Sequence, residues 1–376
     1  MNGFSWTHHN PVQITAGTGS FLRLHEIIPD GGVLLVTTSR FTRIGMAERV
    51  KDQVGASRVV VYDQVTPNPE LDQLDEATAA LKKHDICTIV ALGGGSVIDT
   101  AKALAVCLPT DLDFPLADTL RKKNLRPWKS GLPVIAIPTT AGTGSEVTPF
   151  ATIWDRKELR KHSLAGDFVY PAHAVLDPEL TMTLPPQQTL FTALDAISHA
   201  LESLWNKNRS PVSEAYAVKA LHLACEALPV ILDSPDDLRQ RARMQESSLL
   251  AGLAISQTRT AVAHAISYPL TLHYDVPHGL ACGFLLPALI KYVLSDESCA
   301  EKDLPTRDAM KKTGTVLDGL NLEGCLLDYL TVDELRSLTD KIDYHGRADN
   351  FVCDDVPLFV RGLLEEYFET LSVPAS

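Results

Sequence analysis

The seven cysteines of this sequence include no CxxC pair. That removes a cysteine zinc cage, and the odd count fits reduced thiols in a cytoplasm better than a disulfide framework. Long apolar runs are also missing: the longest, from Leu280 to Ile290, is too short for a bilayer and carries Pro287 inside it. The opening MNGFSWTHHN lacks the charged-then-apolar order of a secretory leader, so the expected location is cytoplasmic. Basic residues are outnumbered, with 34 Lys and Arg against 47 Asp and Glu, a net charge of −13. A chain so acidic has no footprint for nucleic acid or for an anionic membrane surface. It can still hold a small anion, which needs only one or two local cations. Finally, the GxGxxG signature of ordinary dinucleotide folds is absent.

What is present is length, alternation and histidine. The chain has 376 residues, about 2.5 times a ~150-residue domain, so two domains are expected and no staple is needed for a core. Val33–Thr37, Arg58–Tyr62, Thr88–Leu92 and Pro133–Ile137 are short β-branched runs. Between them lie helical patterns through Met46–Val50 and from Pro69 to Lys83. Unbroken apolar strands separated by helices predict a parallel sheet covered on both faces. After Leu184-Pro185-Pro186 helical periodicity takes over. The expected organisation is therefore an α/β dinucleotide-binding domain over 1–183 and an all-α domain over 184–376. The polar tract Ser295–Arg307 is expected to be a surface excursion between helices.

Three clusters carry chemistry. Gly93-Gly94-Gly95-Ser96 follows a strand and opens a helix, where bare backbone N–H groups and a helix N-terminus suit a pyrophosphate. The plain alternative is a tight strand-to-helix turn. Pro138–Glu146, rich in hydroxyls and glycine, follows the next strand and would extend that site across the sheet edge. Gly17-Thr18-Gly19 looks similar, but with no strong strand before it a simple turn is expected. In the third cluster, Asp195 and His199 are four apart and share one helix face. With His264 and His278 they form one carboxylate and three imidazoles, suited to iron(II), zinc or a similar ion. Most single histidines are surface or hydrogen-bonded core residues, so only the set argues for a metal.

These blocks, GGGSVIDTAKA, PTTAGTGSEVTPFA, LDAISHALES, the surroundings of His264 and VPHGLACG, resemble the iron-containing alcohol dehydrogenase superfamily in order and spacing from about 10 to 370. The resemblance implies the dehydroquinate synthase-like fold, with the metal in the cleft between the domains. It implies a metal-dependent, NAD(P)-linked alcohol dehydrogenase or aldehyde reductase that forms a homo-oligomer, at least a dimer. The implied ligands are Asp195, His199, His264 and His278, for Fe2+ or for Zn2+ or another divalent ion. The implied cofactor contacts are Gly94, Gly95, Ser96, Asp99, Thr139, Thr140, Thr143 and Ser145, with Lys161 near the ribose. NAD-preferring relatives often carry an aspartate where this chain has Thr38, with Arg40 and Arg43 close behind. NADH is favoured and NADPH stays open.

Departures from the family narrow the substrate. Tyr268 stands where many members have a second histidine, and it either gates a pocket or simply packs. His273 is a nearby candidate for a proton relay. Arg259 falls where members usually have small neutral residues, which would bring a guanidinium into or near the active cleft. A buried cation needs an acidic partner or an anionic substrate, and both readings stand. TRTAVAHAISYPLT with ALESLWN is similar to the branch that reduces sulfoacetaldehyde and phosphonoacetaldehyde. The expected reaction is sulfoacetaldehyde to isethionate. Its alternatives are phosphonoacetaldehyde, a general primary alcohol or aldehyde, glycerol as in the related glycerol dehydrogenases, and a non-catalytic metal or nucleotide sensor.

Overall fold

The structure is a computed structural model. It describes the chain apart from residues 1–4, 123–127, 159, 296–303, 339–340, 343, 345, 354 and 372–376. The chain divides into two compact units.

One unit comprises Asn10–Thr140 and Gly144–Thr183. Its strands are β1 (Gln13–Ala16), β2 (Val33–Val36), β3 (Val59–Tyr62), β4 (Thr88–Gly93), β5 (Val134–Pro138), β6 (Phe150–Asp155), β7 (Arg160–Ala165) and β8 (His173–Leu176). Six of them form one parallel sheet in the order β1-β8-β5-β4-β2-β3. Every residue of β2, β4 and β5 is buried. The reason is the two-residue period of a strand, which sends alternate side chains into opposite cores. Leu35, Val90 and Ile135 face Leu24 and Val50 on one side. Leu34, Ile89 and Val134 face Ile98 and Leu104 on the other. The helix after the third sheet strand runs Leu71–Leu81, and the Glu70 side chain caps it by accepting from the Gln73 amide at 3.0 Å.

Two features differ from the sequence reading. A strand does precede Gly17: β1 is a sheet edge paired only with β8, and three of its four residues are exposed. A half-paired edge needs no apolar run, which is why the pattern hides it. The turn itself is real, with Gly17 and Gly19 at φ 134 and 80. The antiparallel hairpin β6–β7 also carries no alternation strong enough to announce it.

The other unit consists of the residues from Leu184 onward together with 5–9 and 141–143. Its central helix is Pro186–Leu204, buried at every residue from Ala193 to Leu204. Around it pack Pro211–Asp233, Leu238–Thr258, Val262–Tyr274 and His278–Gly283. Pro211–Asp233 begins with a reciprocal Ser210–Ser213 capping box and Pro211 in its first turn. Two stretches, Pro211–Asp233 and His278–Ser295, are long and apolar enough to cross a membrane by length and composition. Both supply the helical core, through Leu221, Ala224 and Leu228 and through Leu280, Leu286 and Leu289. In the tract 295–307, residues 296–303 lie outside the described residues, and a helix begins at Leu304.

Candidate functional site

Asp195 and His199 lie one turn apart on the central helix, within its fully buried stretch Ala193–Leu204. His264 comes from Val262–Tyr274, and His278 opens the short helix His278–Gly283. Gly279 lets that short helix dock, because a side chain there would run into the Phe191 carbonyl and lie 3.4 Å from the Asp195 Cβ. The four side chains converge. Asp195 Oδ1 is 3.4, 3.5 and 3.7 Å from the Nε2 atoms of His199, His264 and His278. The Nε2 atoms of His199 and His264 are 3.1 Å apart.

These separations test the fit of a metal. Four donors held ~2.1 Å from an ion at tetrahedral angles lie about 3.4 Å from one another. The observed spacing matches, and Asp195 Oδ1 is buried with no hydrogen bond of normal geometry. Burial opposes ionisation of Asp195, yet His199, His264 and His278 together hold it below the ordinary carboxylate range. A carboxylate facing three imidazoles is a donor set of the kind that could hold a divalent cation. The side chains of Asp195, His199 and His264 are 5–6% exposed against 36% for His278, so the cluster opens on the His278 side.

Two further residues belong to this cluster, and sequence reading missed both. Glu202, fully buried, accepts from His264 Nδ1 at 2.7 Å and from the Ala263 and His264 amides at 2.6 and 3.2 Å. With the proton on Nδ1, the Nε2 lone pair of His264 is turned toward Asp195. The available signal was an acid one turn beyond His199 in a helix buried all round. Cys282, one turn after His278, places Sγ 3.7 Å from His278 Nε2. Its sulfur and the donors of Asp195, His264 and His278 all lie within 4.8 Å of one another.

The backbone just before His264 is strained. Arg259 has φ 63 and ψ 175, a region that glycine alone enters readily. Three asparagine side chains hold it. Asn208, Asn206 and Asn350 donate to the successive carbonyls of Thr258, Arg259 and Thr260 at 3.4, 3.1 and 2.9 Å. The Arg259 side chain is exposed and makes no ion pair among the described residues. Its expected burial is thus corrected: as a helix cap it reaches solvent, so no acid is needed to neutralise it. Tyr268 is half-buried one turn after His264. His273 is exposed near the helix end, nine residues and hence about 180° around from His264, so the structure does not bring it to the cluster.

In the α/β unit, Thr38, Gly94 to Ser96, and Thr139 with Thr140 follow the carboxyl ends of β2, β4 and β5, three neighbouring strands. Gly94 is bare where a side chain would press on Thr140 at 3.3 Å. The helix Gly95–Cys107 then points its N-terminus out of the sheet edge. Asp99 accepts from Ser145 Oγ at 2.6 Å and from the Thr152 amide at 2.8 Å. Lys161 lies on β7, its ammonium 5.4 Å over the Trp154 ring; burial raises the pKa of Asp99, and Lys102 and then Lys161 oppose that rise. Thr143 belongs to the helical unit. Arg40 donates to the Thr183 carbonyl and Arg43 to the Ser39 carbonyl, each at 3.4 Å. Lys102, also missed, is fully buried and donates to Ser145 Oγ, to Thr148 and to the Phe150 carbonyl. Burial lowers its pKa to about 8 despite Asp99 and Glu146 nearby.

A nucleotide-type sheet edge and a helical unit with a buried carboxylate–imidazole cluster define a class, the metal-dependent dehydrogenases. Residues 11–178 match the iron-containing alcohol dehydrogenase domain, and residues 189–346 match the C-terminal domain of the Fe-containing alcohol dehydrogenase family. The chain belongs to the iron-containing alcohol dehydrogenase family and is an oxidoreductase of alcohols and aldehydes. It is 35% identical over 274 residues to a long-chain-alcohol dehydrogenase of Geobacillus thermodenitrificans, covering 72% of this chain and 68% of that one. It is 40% identical over 239 residues to the phosphonoacetaldehyde reductase of Streptomyces viridochromogenes, covering 62% and 59%. Among solved structures, sulfoacetaldehyde reductase from Bifidobacterium kashiwanohense, in complex with NAD+, superposes with a TM-score of 0.87 at 29% identity. That match covers 99% of this chain and 100% of that one.

Proposed function

We propose that this protein reduces a two-carbon aldehyde bearing an anionic head group, sulfoacetaldehyde to isethionate, with NADH. The observation that carries this reading is the placement of Arg259, an exposed cation held on a strained backbone five residues before His264. Likeness to the sulfoacetaldehyde reductase structure adds support. A guanidinium offers paired N–H groups that fit a sulfonate or phosphonate. The 40% identity to a phosphonoacetaldehyde reductase favours the phosphonate as the second reading.

In this reading Asp195, His199, His264 and His278 hold a divalent ion, iron or zinc. When bound, the ion supplies Lewis-acid polarisation of a carbonyl, while reduced nicotinamide supplies hydride. Glu202 keeps the His264 tautomer that such a role needs. The glycine turn after β4 and the N-terminus of its helix take the pyrophosphate. Asp99, fixed by Ser145 and Thr152, with Lys161 beside it, faces the ribose. Arg259 fixes the far end of the substrate, so the carbonyl carbon meets the hydride in one orientation. The proton is delivered by water. Thr38, uncharged at the end of β2, leaves the adenosine ribose without a carboxylate partner, so both cofactors belong in the test.

The test is a steady-state panel of sulfoacetaldehyde, phosphonoacetaldehyde, propanal and lactaldehyde, each with NADH and NADPH. Sulfoacetaldehyde with NADH is expected to give the highest kcat/KM. Equal or better turnover of propanal would overturn the anionic reading.

A further inference from the structure

We infer that Lys102 is a positioning residue of the nucleotide site, acting through the Ser145 hydroxyl to aim Asp99 at the nicotinamide half of the cofactor. This rests on the nucleotide reading of the sheet edge and adds to it a residue one turn beyond Asp99 on the helix Gly95–Cys107. Lys102 is fully buried. Its ammonium donates to Ser145 Oγ at 3.1 Å, to the Thr148 and Phe150 carbonyls at 2.9 Å each, and to Thr148 Oγ1 at 3.3 Å. An ammonium can only donate, and a serine hydroxyl has one proton to give. Ser145 Oγ accepts from Lys102, so its own proton goes to Asp99 Oδ1, 2.6 Å away. The Thr152 amide donates to Asp99 Oδ2 at 2.8 Å. Both oxygens of the carboxylate are thereby anchored, while Asp99 stays partly exposed.

The order of the strands decides which half of a dinucleotide this arrangement serves. Thr38, the Gly94–Ser96 turn and the segment from Thr139 to Ser145 follow β2, β4 and β5, which lie side by side. With the adenosine at Thr38 and the pyrophosphate on the glycine turn, the nicotinamide half lies on the β5 side, where Ser145 meets Asp99. A buried ammonium whose four acceptors are neutral oxygens is costly to keep as packing alone. All four acceptors lie within 145–150, the segment that brings Ser145 to Asp99. Removing the ammonium therefore releases that segment and leaves the glycine turn as it was.

Binding to the full chain tests this without turnover, with NADH followed by its nicotinamide fluorescence and ADP by calorimetry. ADP carries the adenosine and the pyrophosphate alone, so it reports on the glycine turn. Lys102→Met keeps the volume and removes the donor. Its Kd for NADH should rise roughly tenfold, and its Kd for ADP by less than about twofold. Ser145→Ala should weaken NADH at least as much. The double variant should be no weaker than Ser145→Ala, because both effects run through one hydroxyl. If circular dichroism shows Lys102→Met unfolded, Lys102→Gln, with a shorter donor, takes its place in both comparisons. Unchanged NADH affinity, equal losses for NADH and ADP, or additive losses in the double variant would each reduce Lys102 to a packing residue. An unaltered protein that binds neither nucleotide would remove the nucleotide reading of the sheet edge, and this inference with it.

Discussion

The side-chain amide of Asn206 donates to the main-chain carbonyl of Arg259 at 3.1 Å, holding a non-glycine residue at φ 63. Asn208 and Asn350 do the same for its two neighbours, so the helix end before His264 is fixed against its own backbone preference. Strain of this kind costs about 1–3 kcal/mol and is kept where a side chain must be aimed.

Arg259→Gly should therefore stabilise the protein while damaging it as an enzyme. Relief of strain, less the added chain entropy of glycine, leaves a gain of about 1 kcal/mol. Thermal unfolding should show a higher Tm. Activity on sulfoacetaldehyde should fall with little change on propanal. A uniform loss on both aldehydes would refute the head-group role.

Glu202→Gln removes a buried charge from His264 but keeps an acceptor of the same shape. Metal affinity should drop about 10–100-fold, the usual cost of losing an outer partner of a ligand. Competition titration with a chromogenic chelator measures it without turnover. Unchanged affinity would reduce Glu202 to a packing residue.

Glu146 is fully buried, and burial lifts its pKa to about 7 from an unfolded value near 4.5. An acid raised in the folded state contributes fully below pH 4.5, and that contribution is lost as the pH rises through 7. Glu146→Gln keeps the shape without the charge. Its stability relative to the parent should rise by as much as about 3 kcal/mol between pH 4.5 and 8. Denaturant titrations across that window decide it, and a flat difference would show that Glu146 is ionised throughout.

Gly279→Ala tests how the cluster is assembled. A methyl group there meets the Phe191 carbonyl and crowds Asp195, so the His278 helix must move away from the central helix. Overpacking of this kind costs about 1–3 kcal/mol. Bound metal should fall with it. Full metal content in the folded variant would mean that the close helix approach is not what places His278.

Much of this molecule was legible in its sequence, for reasons that particular residues show. The central strands read as unbroken apolar runs because helices cover both faces, whereas β1 and the β6–β7 hairpin stayed hidden because partial exposure erases that pattern. Asp195 and His199 declared a shared face through a spacing of four. Glu202 lay in view as a third acidic or imidazole group on the same buried helix, but one residue cannot reveal that its partner is 62 positions away. Lys102 went unread because a buried lysine is costly unless it is paired, and its partners on Ser145, Thr148 and Phe150 come from a different part of the chain.

By itself, then, the sequence determined the family, the sheet and the identities of four candidate donors, because periodicity and local spacing are properties of neighbouring residues. Only the tertiary structure decided that Asp195 Oδ1 stands 3.4–3.7 Å from all three imidazoles and that His199 and His264 stand 3.1 Å apart. It also decided that Cys282 packs against the His278 ring, that Arg259 is exposed and strained rather than buried, and that His273 turns away. Distances between separate helices, and the water each side chain retains, are set by packing of the whole unit and are written in no local stretch of chain.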